Sequence, residues 1–366
     1  MINDAWVEVD LKALRHNLLQ VRSLLSPNVK IMAVVKGNGF GHGFCETSRA
    51  FLGAGAEFLG VTRLEEAIPI RQAGIGARML LFAPIQPGNA DDAIQLGLDL
   101  TVDSMPLANA ISIAAVKRNQ VAHVHIKVDT GMTRLGISPE DFTPFFNSVR
   151  ALPNVEVVGV YTHFGQATAT DIKPSVRQNE KFKAIMHKLR VEELYPPIVH
   201  AANSAAFLRM PEARYNMVRI GTLLYGQYPG GEVPKKLLLE PTWRFKARIC
   251  EVRTVPAGVS VGYGAEYTTP NTKRIAIVPV GYADGFTMTA EGPVYRQSPV
   301  EFLARKLKRE IYMEVGGKKA PVLGRVSMQL TVIDVSECLE VSPGDEVTIP
   351  AMRLATNPYL PRVYIE

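Results

Sequence analysis

The sequence predicts an α/β fold in which an N-terminal (β/α)8 barrel of the TIM type is followed by a C-terminal, mostly β domain. Eight short apolar, β-rich runs alternate with helix-compatible stretches up to about residue 224, as parallel βα units require. From about Pro241, strands are separated by Gly, Pro and Asn turns with little helical periodicity. A barrel takes about 250 residues, so we place the domains at 1–238 and 239–366.

The hydrophobic pattern predicts individual helices and strands along the chain. A helix is predicted over Asp10–Leu25, because leucines and valine recur there at three- and four-residue spacing. Helices are also expected at Leu64–Ala73 and Asn179–Leu194. The barrel strands are predicted at Lys30–Val35, Glu57–Val61, Met79–Phe82, Leu98–Val102, His123–Val128, Val155–Tyr161, Ile198–His200 and Met217–Leu224. In the second domain, strands are predicted at Arg274–Pro279, Ile311–Val315 and Leu330–Val335.

Composition excludes several classes of protein. Hydrophobic residues make up 47% and charged residues 21%, as in ordinary globular proteins. The excess of 41 basic over 35 acidic residues is spread along the chain, so no nucleic-acid partner is expected. Three distant cysteines support neither disulfides nor a metal site and favour a reducing cytoplasm. Neither a signal peptide nor a run of about 18 apolar residues is seen, so no membrane association is expected.

The strongest candidate site lies in AVVKGNGFGHG, where an apolar strand ends at Lys36 and glycines follow. In a barrel, the carboxyl ends of strands face the active site. A lysine buried there would have a lowered pKa, and a neutral amine suits a Schiff base with an aldehyde cofactor. A solvated lysine at the start of a flexible loop is the alternative for this segment alone.

Two further segments carry charged side chains beside predicted strands. KVDTGMTRLGI contains Lys127 in a strand and Arg134 after a glycine turn, where a guanidinium suits a carboxylate substrate or, alternatively, a surface ion pair. His163 follows the strand in VVGVYTHFG, where a hydrogen-bonded core histidine is the alternative to a functional one. Arg219 lies inside an apolar strand, so it needs a buried partner, and a pyridine nitrogen is one candidate.

The remaining candidates lie in turns. Asn203 and Ser204 follow the predicted strand Ile198–His200, and Gly221 follows Arg219, near the last strands, where barrels often bind phosphate. Tyr263 stands between two glycines in SVGYGAEY, at an exposed tip from which a phenol reaches a neighbouring site; a tyrosine without chemical function is the alternative. GYADGF at 281–286 and LGRVSMQ at 323–329 are candidates to line the same site.

Taken in chain order, these segments resemble the alanine racemase family of fold-type III pyridoxal 5'-phosphate (PLP) enzymes over nearly the whole chain. The matching segments are WVEVDLKALRHNL, AVVKGNGFGHG, KVDTGMTRLG, THF, HAANSAAFLR, NMVRIGTLLYG, VGYGAEY, GYADGF and GRVSM. The resemblance implies a barrel with a C-terminal β domain in a head-to-tail homodimer with shared active sites. It further implies a racemase that supplies D-alanine for peptidoglycan.

The resemblance also implies roles for individual residues. Lys36 holds PLP covalently and is one acid/base, and Tyr263, from the other subunit, is the second. Arg219 faces the pyridine nitrogen, and His163 lies between Tyr263 and Arg219. The phosphate is held by Ser204, Gly221 and Thr222, and the substrate carboxylate lies by Arg134 and Met328. A carbamylated Lys127 would fix Arg134.

Three features depart from the family pattern. Phe40 replaces a tyrosine whose hydroxyl reaches the phosphate, and Gln329 replaces an acidic residue. The ending is shorter than the family's, and Tyr359 is a candidate to replace a pocket tyrosine there. We therefore expect weaker PLP retention and a broader substrate range, extending to serine or lysine. A fold-type III decarboxylase and a non-catalytic PLP carrier are the alternatives; the first has an acidic residue where Arg219 stands, and the second usually lacks the β domain.

Overall fold

The computed structural model describes residues 3–288, 311–338 and 340–366, and the chain forms two compact units. One unit spans Leu11–Thr242 with Glu366, and the other combines Met1–Asp10 with Trp243–Ile365. The sequence-based boundary at 238/239 lies four residues before Trp243 but leaves the first ten residues with the barrel. These ten residues belong to the second unit because strand β1 (Ala5–Asp10) pairs, among the described strands, only with C-terminal ones.

The larger unit contains a closed barrel of eight strands, β2 to β9, in which each strand is parallel to its neighbours and β9 pairs back onto β2. The strands are Lys30–Val34, Phe58–Val61, Met79–Leu81, Asp99–Val102, Ala122–Lys127, Val155–Tyr161, Ile198–His200 and Met217–Ile220. Each overlaps one of the eight predicted runs, which confirms the barrel prediction. Closure brings the carboxyl ends of all eight strands to one rim.

Helices separate the barrel strands. They span Leu11–Arg22, Cys45–Gly53, Leu64–Gln72, Ala90–Gln95, Met105–Arg118, Phe142–Arg150, Lys173–Val191 and Ser204–Arg209. The first buries the predicted stripe of Leu11, Leu14, Leu18 and Val21, each contributing about 1.5–3 kcal/mol. The helix predicted from Asn179 begins six residues earlier, at Lys173, where Pro174 fits the first turn. In the described part of the chain, no helix is long and apolar enough to cross a membrane.

The second unit is mostly β, as predicted. Its later strands, β10 to β19, are Trp243–Arg248, Glu251–Val255, Ser260–Val261, Tyr267–Thr268, Lys273–Val278, Tyr312–Val315, Lys318–Pro321, Thr331–Asp334, Glu346–Ile349 and Arg362–Ile365. A six-stranded sheet has the order β16-β15-β18-β10-β1-β19, and smaller sheets join β11-β14-β17 and β12-β13. Phe245, Val278, Phe286 and Met313 lie in its buried core.

Candidate active site

The barrel unit contains a cavity of about 420 Å³, lined by side chains from the carboxyl ends of its strands. Nine predicted site residues line this cavity, namely Lys36, Lys127, Arg134, His163, Asn203, Ser204, Arg219, Gly221 and Thr222. They come from distant parts of the chain and meet because the barrel closes. Tyr263 and Met328 belong to the second unit.

The loop after Lys36 forms one turn of left-handed helix. φ is 63° at Gly37, 55° at Asn38, 60° at Gly39 and 53° at Phe40. This conformation costs a residue with a side chain roughly 1–2 kcal/mol, which explains the two glycines. The carboxylate of Glu66 accepts hydrogen bonds from the backbone N–H groups of Gly37 (2.7 Å) and Thr62 (2.7 Å). Glu66 thereby fixes the start of the turn and the direction in which Lys36 leaves its strand.

The surroundings of Lys36 favour its neutral amine. Burial lowers the pKa of Lys36, and the positive charges of Arg134 and Arg219 lower it further. The carboxylate of Glu66 opposes them without reversing the shift. A lysine with a lowered pKa is a competent nucleophile toward an aldehyde.

Arg219 is 4% exposed and holds a fixed set of acceptors. Its Nη1 donates to Nδ1 of His200 at 2.9 Å. Its Nη2 faces the carbonyl oxygens of Thr162 (2.9 Å) and Ala201 (3.0 Å) and Nδ1 of His163 (3.0 Å). Burial lowers the pKa of Arg219 to about 10, so the guanidinium stays charged at neutral pH. Among the described residues, the Nε–H group and the second N–H of Nη1 have no hydrogen-bond acceptor, so donors of Arg219 remain available to a ligand.

His163 is held as a neutral imidazole. Burial lowers its pKa well below the ordinary value, and the charges of Arg219 and Lys127 act in the same direction. Because Nδ1 accepts a hydrogen bond from Arg219, the ring proton of the neutral form belongs on Nε2. The side-chain nitrogen of Asn203 lies 3.5 Å from that Nε2.

Small and hydroxyl-bearing residues line one end of the cavity. The hydroxyl of Ser204 accepts a hydrogen bond from the backbone N–H of Gly221 at 3.0 Å. Asn203 caps the helix that begins at Ser204, accepting from two backbone N–H groups with its side-chain oxygen. A Cβ on Gly221 would lie 3.0 Å from Cζ of Phe40, so the missing side chain leaves room at this end. Thr222 adds a second hydroxyl beside it.

Positive charges outnumber negative charges among the residues that line the cavity. Burial, followed by the charges of Arg219 and Arg134, lowers the pKa of Lys127 to about 8, while Asp103 and Asp129 oppose this shift. Lys36, Lys127, Arg134 and Arg219 all line the cavity, whereas no carboxylate does among the described residues. Such a cavity attracts anionic groups, which include carboxylates and phosphates.

Sequence reasoning missed several polar residues inside the barrel. Tyr161 lines the cavity and stacks on His200, with ring centroids 4.7 Å apart and planes at 4°. His125, Asp99 and Glu66 were also not singled out. A signal existed for His200, which is the one polar residue of its predicted strand, whereas His125 shares its predicted strand with His123 and Lys127. What they contact depends on strand register and was not visible.

In the second unit, three predicted segments come together. The backbone N–H of Ala283 in GYADGF bonds to the carbonyl of Met328 at 3.0 Å, and Val261 shares a small core with Leu323. Tyr263 stands on a short 3-10 turn and is 70% exposed, and Met328 is 57% exposed. Gln329 and Tyr359 are exposed as well. These turns present apolar and phenolic side chains to the outside of their unit.

Comparisons with known proteins agree with this geometry. Residues 9–229 match the family model of the alanine racemase N-terminal domain, and residues 242–357 match that of the C-terminal domain. An alanine racemase of Desulforamulus reducens is 40% identical over 346 residues, covering 94% of this chain and 89% of the relative.

Solved structures are similar along the entire chain. The alanine racemase of Clostridium difficile 630 has a TM-score of 0.91 at 29% identity, covering 100% of this chain and 97% of that one. The alanine racemase of Bacillus anthracis, solved with bound L-Ala-P, has a TM-score of 0.86 at 30% identity, covering 100% and 96%. With both domain models matched in order and a relative 40% identical over nearly its full length, this chain belongs to the alanine racemase family.

Proposed function

We propose that this chain is a PLP-dependent alanine racemase, which interconverts L- and D-alanine and supplies D-alanine for peptidoglycan. The observation that carries the proposal is one cavity that joins Lys36, whose pKa is lowered by burial, to the buried Arg219 with an uncommitted N–H donor. The family membership supports the same activity.

The cavity fits PLP group by group. Its volume of about 420 Å³ lies in the range of small-molecule sites, roughly 300–1,000 Å³. The neutral amine of Lys36 suits the aldehyde, and the Nε–H of Arg219 suits the pyridine nitrogen. The hydroxyl groups of Ser204 and Thr222 are donors for the phosphate, and Gly221 leaves room for it beside Phe40. When bound, PLP supplies an electron sink for the electron pair left when the Cα proton is removed.

Racemisation requires a proton to leave one face of Cα and another to arrive on the opposite face. In our proposal Lys36 exchanges the proton on one face, where its lowered pKa increases the share of neutral amine. Tyr263 of the partner subunit exchanges it on the other. Arg219 donates a hydrogen bond but retains its proton, which keeps the pyridine nitrogen unprotonated and favours proton return over side reactions.

The substrate carboxylate pairs with Arg134, through the two-pronged hydrogen bond that a guanidinium forms. Met328 of the partner subunit lies beside it in this proposal. Lys127 is carbamylated: its neutral amine adds to carbon dioxide, releases a proton and becomes an anion that fixes Arg134. The lowered pKa of Lys127, to about 8, supports this step.

The proposal includes a head-to-tail homodimer with shared active sites. The exposed turns of the second unit support it, because Tyr263, Met328 and Leu330 are more than half exposed and apolar or aromatic. Exposed apolar patches of this kind mark interaction surfaces. Cys45, Cys250 and Cys338 are free, which agrees with a cytoplasmic location in this proposal.

The preferred substrate is alanine, and racemisation of serine or lysine is the second possibility. The test is to load the purified protein with PLP and to follow L-alanine, L-serine and L-lysine by chiral chromatography. We expect formation of the D-isomer, fastest for alanine. A PLP-loaded protein that racemises none of the three would contradict the proposal, and release of carbon dioxide from any of them would favour the decarboxylase alternative.

A further inference from the structure

Four buried side chains form a continuous line of hydrogen bonds through the barrel interior. Nη1 of Arg219 donates to Nδ1 of His200 at 2.9 Å, and Nε2 of His200 lies 3.0 Å from Nδ1 of His125. Nε2 of His125 lies 3.2 Å from Oδ2 of Asp99. We call Arg219, His200, His125 and Asp99 the histidine network; each is at most 4% exposed. Nη2 of Arg78 lies 2.6 Å from the same Asp99 oxygen and closes the far end.

The two ends of the histidine network dictate where its protons lie. A guanidinium can only donate and an ionised carboxylate can only accept. Because Arg219 donates to Nδ1 of His200, the proton of that neutral ring must be on Nε2. His200 donates this hydrogen bond to Nδ1 of His125. The proton of His125 is therefore on Nε2, from which it donates to Asp99. Every hydrogen bond in the network points away from the cavity.

The charge states agree with this arrangement. Burial lowers the pKa of His200 and of His125, so both rings are neutral near neutral pH. Burial alone would raise the pKa of Asp99, but the hydrogen bond from His125 and the charge of Arg78 outweigh it and lower the pKa. Each ring therefore carries one proton and has one acceptor nitrogen.

The barrel is shaped to admit the network. β6 and β7 change register between Val124 and His125, and His125 lies opposite Gly159. A Cβ on Gly159 would lie 2.2 Å from Nδ1 of His125, so no larger residue fits beside this ring. The ring of Tyr161 stacks flat on His200. Both imidazoles are thus held in the planes that the hydrogen bonds require.

We propose that His200, His125 and Asp99 are positioning residues that lock the orientation of Arg219 by fixing the acceptor nitrogen of His200. The inference rests on the proposed function for the identity of the group that Arg219 faces. Because Nη1 and Nη2 both donate to fixed acceptors, the plane of the guanidinium is fixed, and Nε–H is held in one direction as a donor for the pyridine nitrogen. A proton on Nδ1 of His200 would make that nitrogen a donor that faces the N–H donor of Nη1. The two donors would repel each other and turn the guanidinium out of this position.

The proton positions can be observed directly. Neutron diffraction from crystals of the deuterated, PLP-loaded protein should show deuterium on Nε2 and none on Nδ1 in both His125 and His200. Deuterium on Nδ1 of either ring would overturn the inference. This result does not depend on turnover, so a protein that fails to racemise alanine would defeat the proposed function while leaving the network assignment intact.

Substitutions then test the effect on the site. His125→Phe breaks the network without touching Arg219, and should lower kcat about tenfold with little change in KM. It should also shift the absorption maximum of bound PLP, which a purely structural role would not do. The control is His187→Phe, on the helix Lys173–Val191, whose exposed ring lies outside the network. It should leave kcat and the spectrum unchanged.

Asp99→Asn is a second variant that tests the same role if His125→Phe does not fold. The amide oxygen still accepts from His125 but carries no charge, so we expect the same spectral shift at smaller size and a kcat lowered about threefold. If Asp99→Asn binds PLP with wild-type spectrum and wild-type kcat, the positioning role is wrong.

Discussion

The two units of this chain hold their functional side chains in opposite environments. In the barrel unit Arg219 is 4% exposed, and Lys36, Lys127 and His163 all have pKa values lowered by burial. In the second unit Tyr263 is 70% exposed and Met328 57% exposed. The barrel interior therefore sets the electrostatics of its own cavity. The turns of the second unit leave their candidate site residues exposed.

The contrast extends to composition. All seven histidines lie between His16 and His200, within the barrel unit, and both tryptophans, Trp6 and Trp243, lie in the second. Effects of pH that act through histidine are thus confined to the barrel unit. Tryptophan fluorescence reports on the β unit. The two regions can be followed separately in one experiment.

The largest effect is expected from Lys36→Ala, which removes the amine that the barrel buries for PLP. The purified variant should lack the visible absorption of lysine-bound PLP and should show no racemisation. Lys30→Ala is the matched control, since Lys30 is an exposed lysine at the start of the same strand. A Lys36→Ala protein that keeps both the absorption and the activity would remove the barrel cavity from consideration as the active site.

Tyr263→Phe tests the exposed phenol of the second unit. Losing a general acid/base costs roughly 10²–10⁴-fold in rate, so we expect kcat to fall by that amount while PLP absorption is unchanged. Tyr312→Phe, on β15, is the control and should retain wild-type kcat. Wild-type activity in Tyr263→Phe would show that its phenol carries no proton in the reaction.

Mixing the two inactive variants tests whether sites are shared. A dimer of one Lys36→Ala subunit and one Tyr263→Phe subunit has one site with both wild-type residues. Dissociation and reassociation of the mixture should therefore restore part of the activity. Mixed dimers that form and stay inactive would rule out a site shared between subunits.

Acidification should destabilise the protein through the buried histidines of the barrel. The pKa values of His125, His163 and His200 are lowered in the folded state, so below about pH 6.5 the unfolded chain binds protons that the folded chain does not. Their contribution to the free energy of unfolding is therefore complete above pH 6.5 and is lost progressively as the pH falls from there. The slope is about 1.4 kcal/mol per pH unit for each histidine, up to about 4 for three.

Urea unfolding at pH 7.5, 6.5 and 5.5 measures this slope with two probes. Circular dichroism of the helices should show the falling midpoint, because the α-helices of the described residues all lie in the barrel unit. Fluorescence of Trp6 and Trp243 should show a smaller fall if the units unfold separately. A circular dichroism midpoint that is constant between pH 6.5 and 5.5 would contradict the neutral state of the three histidines.

The smallest effect is expected from Phe40→Tyr. The ring of Phe40 stacks on Tyr225 at 4.6 Å, and its Cζ faces the space beside Gly221. A hydroxyl added there would reach the proposed phosphate, and a hydrogen bond to a charged group is worth about 1.5–3 kcal/mol. PLP should therefore be lost at least about tenfold more slowly during dialysis.

The control for this change is Phe44→Tyr, a half-buried phenylalanine in the same loop that does not line the cavity. It should leave PLP retention unchanged. Equal retention by Phe40→Tyr and the wild type would mean that the phosphate does not lie where Ser204 and Gly221 meet.

Local sequence patterns were sufficient for much of the fold. The eight barrel strands were predicted because each is a short apolar run, and a run keeps its character whatever it pairs with. Lys36, Lys127, His163 and Arg219 were found because each charged or polar group stands in or just after such a run. In a closed barrel, positions at strand ends converge without further information.

The structure decided what depends on pairing and register. β1 joined the second unit because its backbone hydrogen bonds go to strands more than 200 residues later. The left-handed turn after Lys36 was implied by its glycines, but its attachment to Glu66 was not. The meeting of His125, His200 and Asp99 required a register shift opposite Gly159. Hydrogen bonds between residues distant in the chain leave no periodic signal. The sequence alone therefore determined that Lys36, Lys127, His163 and Arg219 reach the cavity, and only the folded barrel placed Tyr161 there and determined how these side chains are held.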